Sequence, residues 1–129
     1  MAPEQLAIET AYAPPIDLGV LAELAAMQRD GRPGFMDRIV TLFLLTAPRL
    51  INDLKAASKA DEITALHRAS HSLGPCSATV GALSLAALCE ALETMARSGS
   101  VRNSAVQVAA IAQEYMRVEA ALTGSPVTS

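Results

Sequence analysis

The side chains best able to do chemistry in this chain lie close together. Between Ala65 and Ala82 the sequence reads ALHRASHSLGPCSATVGA and holds both histidines, His67 and His71, together with Arg68 and Cys76. An imidazole can act as nucleophile, proton carrier or metal ligand near neutral pH. Set on a helix at about 100° per residue, the segment puts Leu66, Ala69, Ser70, Leu73, Ser77 and Val80 on one side. His67, His71, Gly74, Pro75 and Ala78 fall on the other. One face can be buried while the other shows His71 to solvent among small residues. His67 and His71 stand at i and i+4, half of a helical metal site, but no second pair of ligands occurs at metal spacing, so no metal is expected. Ser70 and Ser77, on the buried side, are expected to bond backbone carbonyls one turn back.

Something must position that face, and the composition says what. A chain of 129 residues makes one domain with one core and needs neither disulfides nor metal to fold. Hydrophobic residues make up 51% of it, yet there are two Phe, two Tyr and no Trp, so the apolar content is mostly Ala and Leu. These are strong helix formers, and an all-α domain follows. The net charge is −3 and the ten Lys and Arg are scattered, which leaves no basic stripe for nucleic acid. Cys76 and Cys89 are too few and too far apart for a redox pair or zinc knuckle and read as small buried residues in a reducing compartment. The longest apolar run, Ile39 to Ala47, is too short to span a bilayer. No signal peptide is visible, so a cytoplasmic module without membrane contact is expected.

In order along the chain, residues 1–15 carry Pro3, Pro14 and Pro15 and read as a tail or linker. Asp17 is a candidate N-cap for a short helix with Leu18, Leu21, Leu24 and Ala25 on one stripe, ending near Asp30 and Gly31. From Phe35, the positions Phe35, Ile39, Leu42, Phe43, Ala47, Leu50 and Leu54 keep the spacing of a buried helical face. Pro48 within it should kink rather than break the axis, since the stripe holds its phase. Asp61 or Ser58 should cap the histidine helix, which Gly81 ends. A helix from Ala82 to Arg97 turns Leu85, Leu88, Cys89, Leu92, Met95 and Ala96 inward. The last helix opens between Ser100 and Ser104, repeats Val108, Ile111, Tyr115, Val118 and Leu122 at intervals of 3 and 4, and is stopped by Gly124 and Pro126. The sum is an up-and-down antiparallel four-helix bundle with an additional short N-terminal helix across one end. It occupies residues 16–123, with 124–129 as a C-terminal tail.

The histidine segment resembles the signature of histidine-containing phosphotransfer (HPt) domains, whose pattern is roughly H-[ST]-L-K-G-S-S-A-x-[LV]-G-A followed by L-x-x-L-C-x-x-L-E. Here it is met, without a gap, by His71, Ser72, Leu73, Gly74, Pro75, Cys76, Ser77, Ala78, Thr79, Val80, Gly81 and Ala82, then by Leu85, Leu88, Cys89, Leu92 and Glu93. The resemblance extends over about residues 17–120. It implies a carrier that takes a phosphoryl group on His71 from a receiver-domain aspartate and passes it to another receiver. Such a protein is a substrate of its partners rather than an enzyme, holds no cofactor of its own, and leaves the magnesium to the receiver. A monomer is expected.

Two positions depart from the pattern: Gly74 stands where the family has Lys and Pro75 where it has Gly. Arg68, three residues before His71, is a candidate replacement for the missing ammonium as a phosphate partner. His67, Gly74, Pro75 and Ala78, with neighbouring parts of the helix from Phe35, are expected to form the receiver-docking surface. The departures also support a second reading, a degenerate module that docks receivers or kinases without carrying phosphate. A plain helical interaction bundle, with His71 incidental, is a third. Pro75 further removes the hydrogen bond that would close on the carbonyl of His71, so a bend is expected just after it.

Overall fold

A computed structural model describes residues 3–124. Among them are six α-helices and no strand: α1 (Pro3–Tyr12), α2 (Leu18–Arg29), α3 (Phe35–Lys59), α4 (Ile63–Thr79), α5 (Leu83–Arg97) and α6 (Ser104–Thr123). The Leu- and Ala-rich stripes pair in sequence. α3 packs on α4, α4 on α5, α5 on α6, and α6 returns to α3, which closes the four-helix bundle; α2 lies on α3, and α1 on α6 and α5. Phe43, Leu54, Leu66, Leu73, Leu85, Leu92 and Ile111 are fully buried at its centre, and each such burial is worth about 1.5–3 kcal/mol. The Phe43 and Tyr115 rings meet tilted at 46°, with 5.8 Å between centroids.

The segment expected to be a tail contains α1. The reason it is hard to read is that α1 is held by a residue far along the chain. Arg117 donates from Nη1 to the Thr10 carbonyl (3.0 Å) and from Nη2 to that of Ala13 (2.6 Å), satisfying the C-terminal end of α1. Buried Glu114 holds the guanidinium in place at 2.7 Å. Burial pushes the Glu114 carboxyl up from its ordinary range, against the opposing charge of Arg117. The expected stop at Pro126 and the tail beyond Gly124 lie outside the described residues.

Helix ends follow the chemistry of single residues. Asp17 caps α2, its Oδ1 accepting from the backbone N–H of Gly19 (2.8 Å) and Val20 (3.3 Å). The predicted cap of α4 is corrected: Asp61 sits at φ 54°, in the left-handed position just beyond α3, where the Glu62 N–H returns to the Ala57 carbonyl at 2.9 Å. That geometry terminates α3 and leaves Glu62, without a side-chain bond, as the N-cap of α4. Ser58 is used elsewhere, bonding Ser104 at 2.7 Å. Two leucines placed on buried stripes, Leu18 and Leu42, are exposed. α3 instead turns inward the set Phe43, Ala47, Ile51, Leu54 and Ala57. Both internal prolines are accommodated without a break, since α3 runs through Pro48 and α4 through Pro75.

The α4–α5 turn is built on Gly81. The Ala82 N–H reaches back to the Ser77 carbonyl (2.9 Å) and the Gly81 N–H to that of Ala78 (3.0 Å), with Gly81 at φ 81°. The chain entering α2 docks there too, the Asp17 N–H donating to the Gly81 carbonyl at 2.7 Å. A Cβ on Gly81 would lie 2.9 Å from the Asp17 carbonyl oxygen and 3.1 Å from the Val20 Cβ. Gly81→Ala is therefore expected to lower unfolding stability by at least about 2 kcal/mol, combining left-handed strain with a backbone clash. A denaturant titration would show this as a lower midpoint at unchanged slope.

Candidate functional site

The buried face of α4 is the predicted one: Leu66, Ala69, Ser70, Leu73 and Ser77 are all buried, with Val80 just beyond the last turn. Ser70 donates to the Leu66 carbonyl at 2.7 Å and Ser77 to that of Leu73 at 2.8 Å, as the spacing requires. The same helix carries Gly74 and Pro75, whose intrinsic costs are about 1 and 3 kcal/mol, and its buried face holds it against the bundle. With its inner side anchored, α4 presents His71 outward, its side chain 66% exposed.

Exposure alone does not orient an imidazole. Glu93 of α5 does so: its Oε1 lies 2.8 Å from His71 Nδ1. The same oxygen accepts from Arg97 Nη2 at 2.7 Å and stands 3.9 Å from His67 Nε2. The bond from His71 is the main cause holding the Glu93 carboxyl below its ordinary range; Arg97 adds to it, while partial desolvation opposes. An ionised carboxylate only accepts, so Nδ1 of His71 carries the hydrogen. In the neutral ring, the lone pair then lies on Nε2, and the ring as a whole is largely exposed. His67 stacks against His71, the two rings 7° from parallel with centroids 5.9 Å apart.

A groove of about 350 Å³ runs beside the ring. His71, Gly74, Pro75 and Ala78 line it from α4, and Ala86, Glu90, Glu93, Thr94 and Arg97 from α5. The structure thus brings together His71, Gly74, Pro75 and Ala78, with His67 against the histidine. The other wall of this groove is α5. Arg68 is placed apart: it lines a separate groove between α3 and α4, with Leu50, Asp53, Glu62 and Ser72. The arginine joined to the His71 cluster is Arg97. Gly74 is not forced by space, because a Cβ there would make ordinary contacts, 3.6 Å to the Cys89 Cβ and 3.9 Å to the Ala86 carbonyl oxygen.

Glu93 and Arg97 are the functional candidates that sequence reasoning passed over. Their i, i+4 spacing marks an ion pair on α5, but their meeting with His71 depends on the pairing of two helices. Both cysteines are free, and burial pushes the Cys89 thiol up to about 12 and raises that of Cys76; neither is a thiolate nucleophile near neutral pH. No group of three His, Cys, Asp or Glu suited to a metal ion occurs among the described residues. No helix among them is long and apolar enough to cross a membrane.

What this arrangement can do is offer one nucleophilic nitrogen, aimed outward, with a fixed negative charge behind it. The Hpt domain family model matches residues 38–121. The crystal structure of histidine-containing phosphotransfer protein B (HptB) from Pseudomonas aeruginosa PAO1 superposes with a TM-score of 0.77 at 27% sequence identity, covering 87% of this chain and 94% of that one. No curated protein sequence matches the chain.

Proposed function

The chain belongs to the Hpt domain family, and on that premise we propose that His71 is the phosphoacceptor of a multistep phosphorelay. The observation that carries the reading is the ring's setting: Nδ1 held by Glu93 at 2.8 Å, and a side chain 66% exposed. Nε2 attacks the phosphorus of a receiver's aspartyl phosphate; the P–N bond forms as the P–O bond to the aspartate breaks, and the aspartate leaves as a carboxylate. No proton need move. The ring gains a positive charge, Nδ1–H remaining on Glu93, and the carboxylate steadies that charge. Phosphoryl transfer through a loose transition state asks for little beyond this positioning and electrostatic support. Running the step backwards onto a second receiver discharges the carrier.

In this reading the protein is a carrier in the cytoplasm and not an autonomous enzyme. The magnesium belongs to the receiver, which also supplies the acidic site. Arg97, tied to Glu93 beside the acceptor, supplies a cation for the incoming phosphoryl oxygens. The receiver docks over the groove formed by Gly74, Pro75 and Ala78.

The test is to incubate the protein with a receiver domain phosphorylated on its aspartate. Acid-labile, alkali-stable label on this chain is the expected result, with loss of label from the receiver at the same rate. A complex that forms without any label passing would overturn the carrier reading in favour of the docking module.

A further inference from the structure

His71 is exposed and sits on a helix whose next turn offers no support on that side. Gly74, three positions on, has no side chain, and Pro75, four positions on, gives only a small ring. One flat neighbour remains. His67, four positions back, lies 7° from parallel to His71 at 5.9 Å between centroids, within the range in which offset aromatic rings attract. It is the more buried of the two, 37% exposed against 66%. Its Nε2 stands 3.9 Å from the Glu93 oxygen that accepts from His71.

We propose that His67 is a positioning residue for phosphoryl acceptance: its ring is the platform that holds His71 with Nδ1 on Glu93 and Nε2 toward the donor. The proposal rests on the reading of His71 as acceptor. Without the platform the His71 side chain has other rotamers open to it, and ring rotation exchanges Nδ1 for solvent. Each such excursion removes the fixed hydrogen and lets either nitrogen carry it. Gly74 makes the dependence sharper, since no side chain one turn on can take over the support.

The experiment uses the whole chain and phosphoramidate, a small donor needing no receiver. His71 Nε2 attacks phosphorus, the donor's P–N bond breaks, and ammonia leaves with the protons it already carries. His67→Ala is expected to slow acid-labile labelling about 2- to 10-fold, the range to which an aromatic pair's attraction converts. His67→Phe, which restores a flat ring without nitrogen, is expected to return the rate to within about twofold of the parent. Nitrogen-15 spectra of the His71 ring should show one tautomer in the parent and a mixture in His67→Ala, a signature that mere loss of stability does not give. Labelling of His67→Ala at the parent rate with an unchanged tautomer would overturn the proposal, as would a His67→Phe variant as slow as His67→Ala. If the parent takes no label, the acceptor reading fails by itself. The tautomer comparison then still decides the platform, a mixture in His67→Ala supporting it and an unchanged spectrum overturning it.

Discussion

His71→Gln should take no phosphoryl label from a phosphorylated receiver, at any time of incubation at which the parent chain is fully charged. The glutamine amide can still donate to Glu93, so the neighbourhood of the site is kept while the nucleophilic nitrogen is lost. The chain has two histidines, which makes the result an assignment: acid-labile label surviving in His71→Gln would have to sit on His67 and would sink the present reading. The fold should be indifferent. The side chain is 66% exposed, and replacements at such positions shift stability by no more than about 0.5 kcal/mol. Coincident thermal unfolding of variant and parent, alongside complete loss of label, would separate loss of chemistry from loss of structure.

The face of α4 was legible from sequence because it rests on one period. Six buried and five outward positions between Leu66 and Val80 follow from 3.6 residues per turn, and tertiary context had only to agree. Gly81 was readable for a similar reason, a left-handed stop being a local need that glycine meets. Two other features depended on partners distant in the chain. α1 has no apolar stripe strong enough to announce it, and its C-terminal carbonyls are satisfied by Arg117 of α6. Leu42 kept the helical spacing but not the phase. The inward face of α3 is set by where α4 and α6 lie, and those two contacts favour Ile51 and Ala57 over Leu42.

The pairing of His71 with Glu93 lies between these cases. Positions 71 and 93 stand equally far from Ala82, the residue that follows the Gly81 turn. A tight antiparallel hairpin brings such positions to the same height, so the register was implicit once the turn was placed. What the sequence did not reveal was the rotation of α5, which decides whether Glu90, Glu93 or Thr94 faces the ring. That rotation is set by Leu85, Leu88, Cys89 and Leu92 entering the core, and it leaves Glu93 at the seam. Arg68, by the same logic, was counted near His71 from its spacing alone. Its rotation on α4 carries it to the α3 side.

Because Glu93 fixes both the hydrogen on Nδ1 and the charge behind the ring, its removal should cost more than any other single change short of losing His71. A hydrogen bond to a charged group is worth about 1.5–3 kcal/mol, and here it serves the charged product of transfer more than the neutral ring. Glu93→Ala should therefore slow phosphoryl acceptance about 10- to 100-fold. Glu93→Gln retains an accepting oxygen without the charge and should fall between parent and alanine variant. The helix pair with Arg97 is a surface contact and contributes little to stability, so both variants should unfold close to the parent. Acid gives an independent check on the sign. The folded carboxyl lies below its ordinary value of 4.5, so whatever stability the ionised group contributes is complete above pH 4.5 and is lost as pH falls through the lowered folded value. The difference in unfolding stability between parent and Glu93→Gln should therefore shrink as pH falls below about 4.5. If acceptance by Glu93→Ala matched the parent while His71→Gln took no label, the nitrogen would be nucleophilic without its carboxylate. The orienting role would then have to pass to His67 and the helix alone.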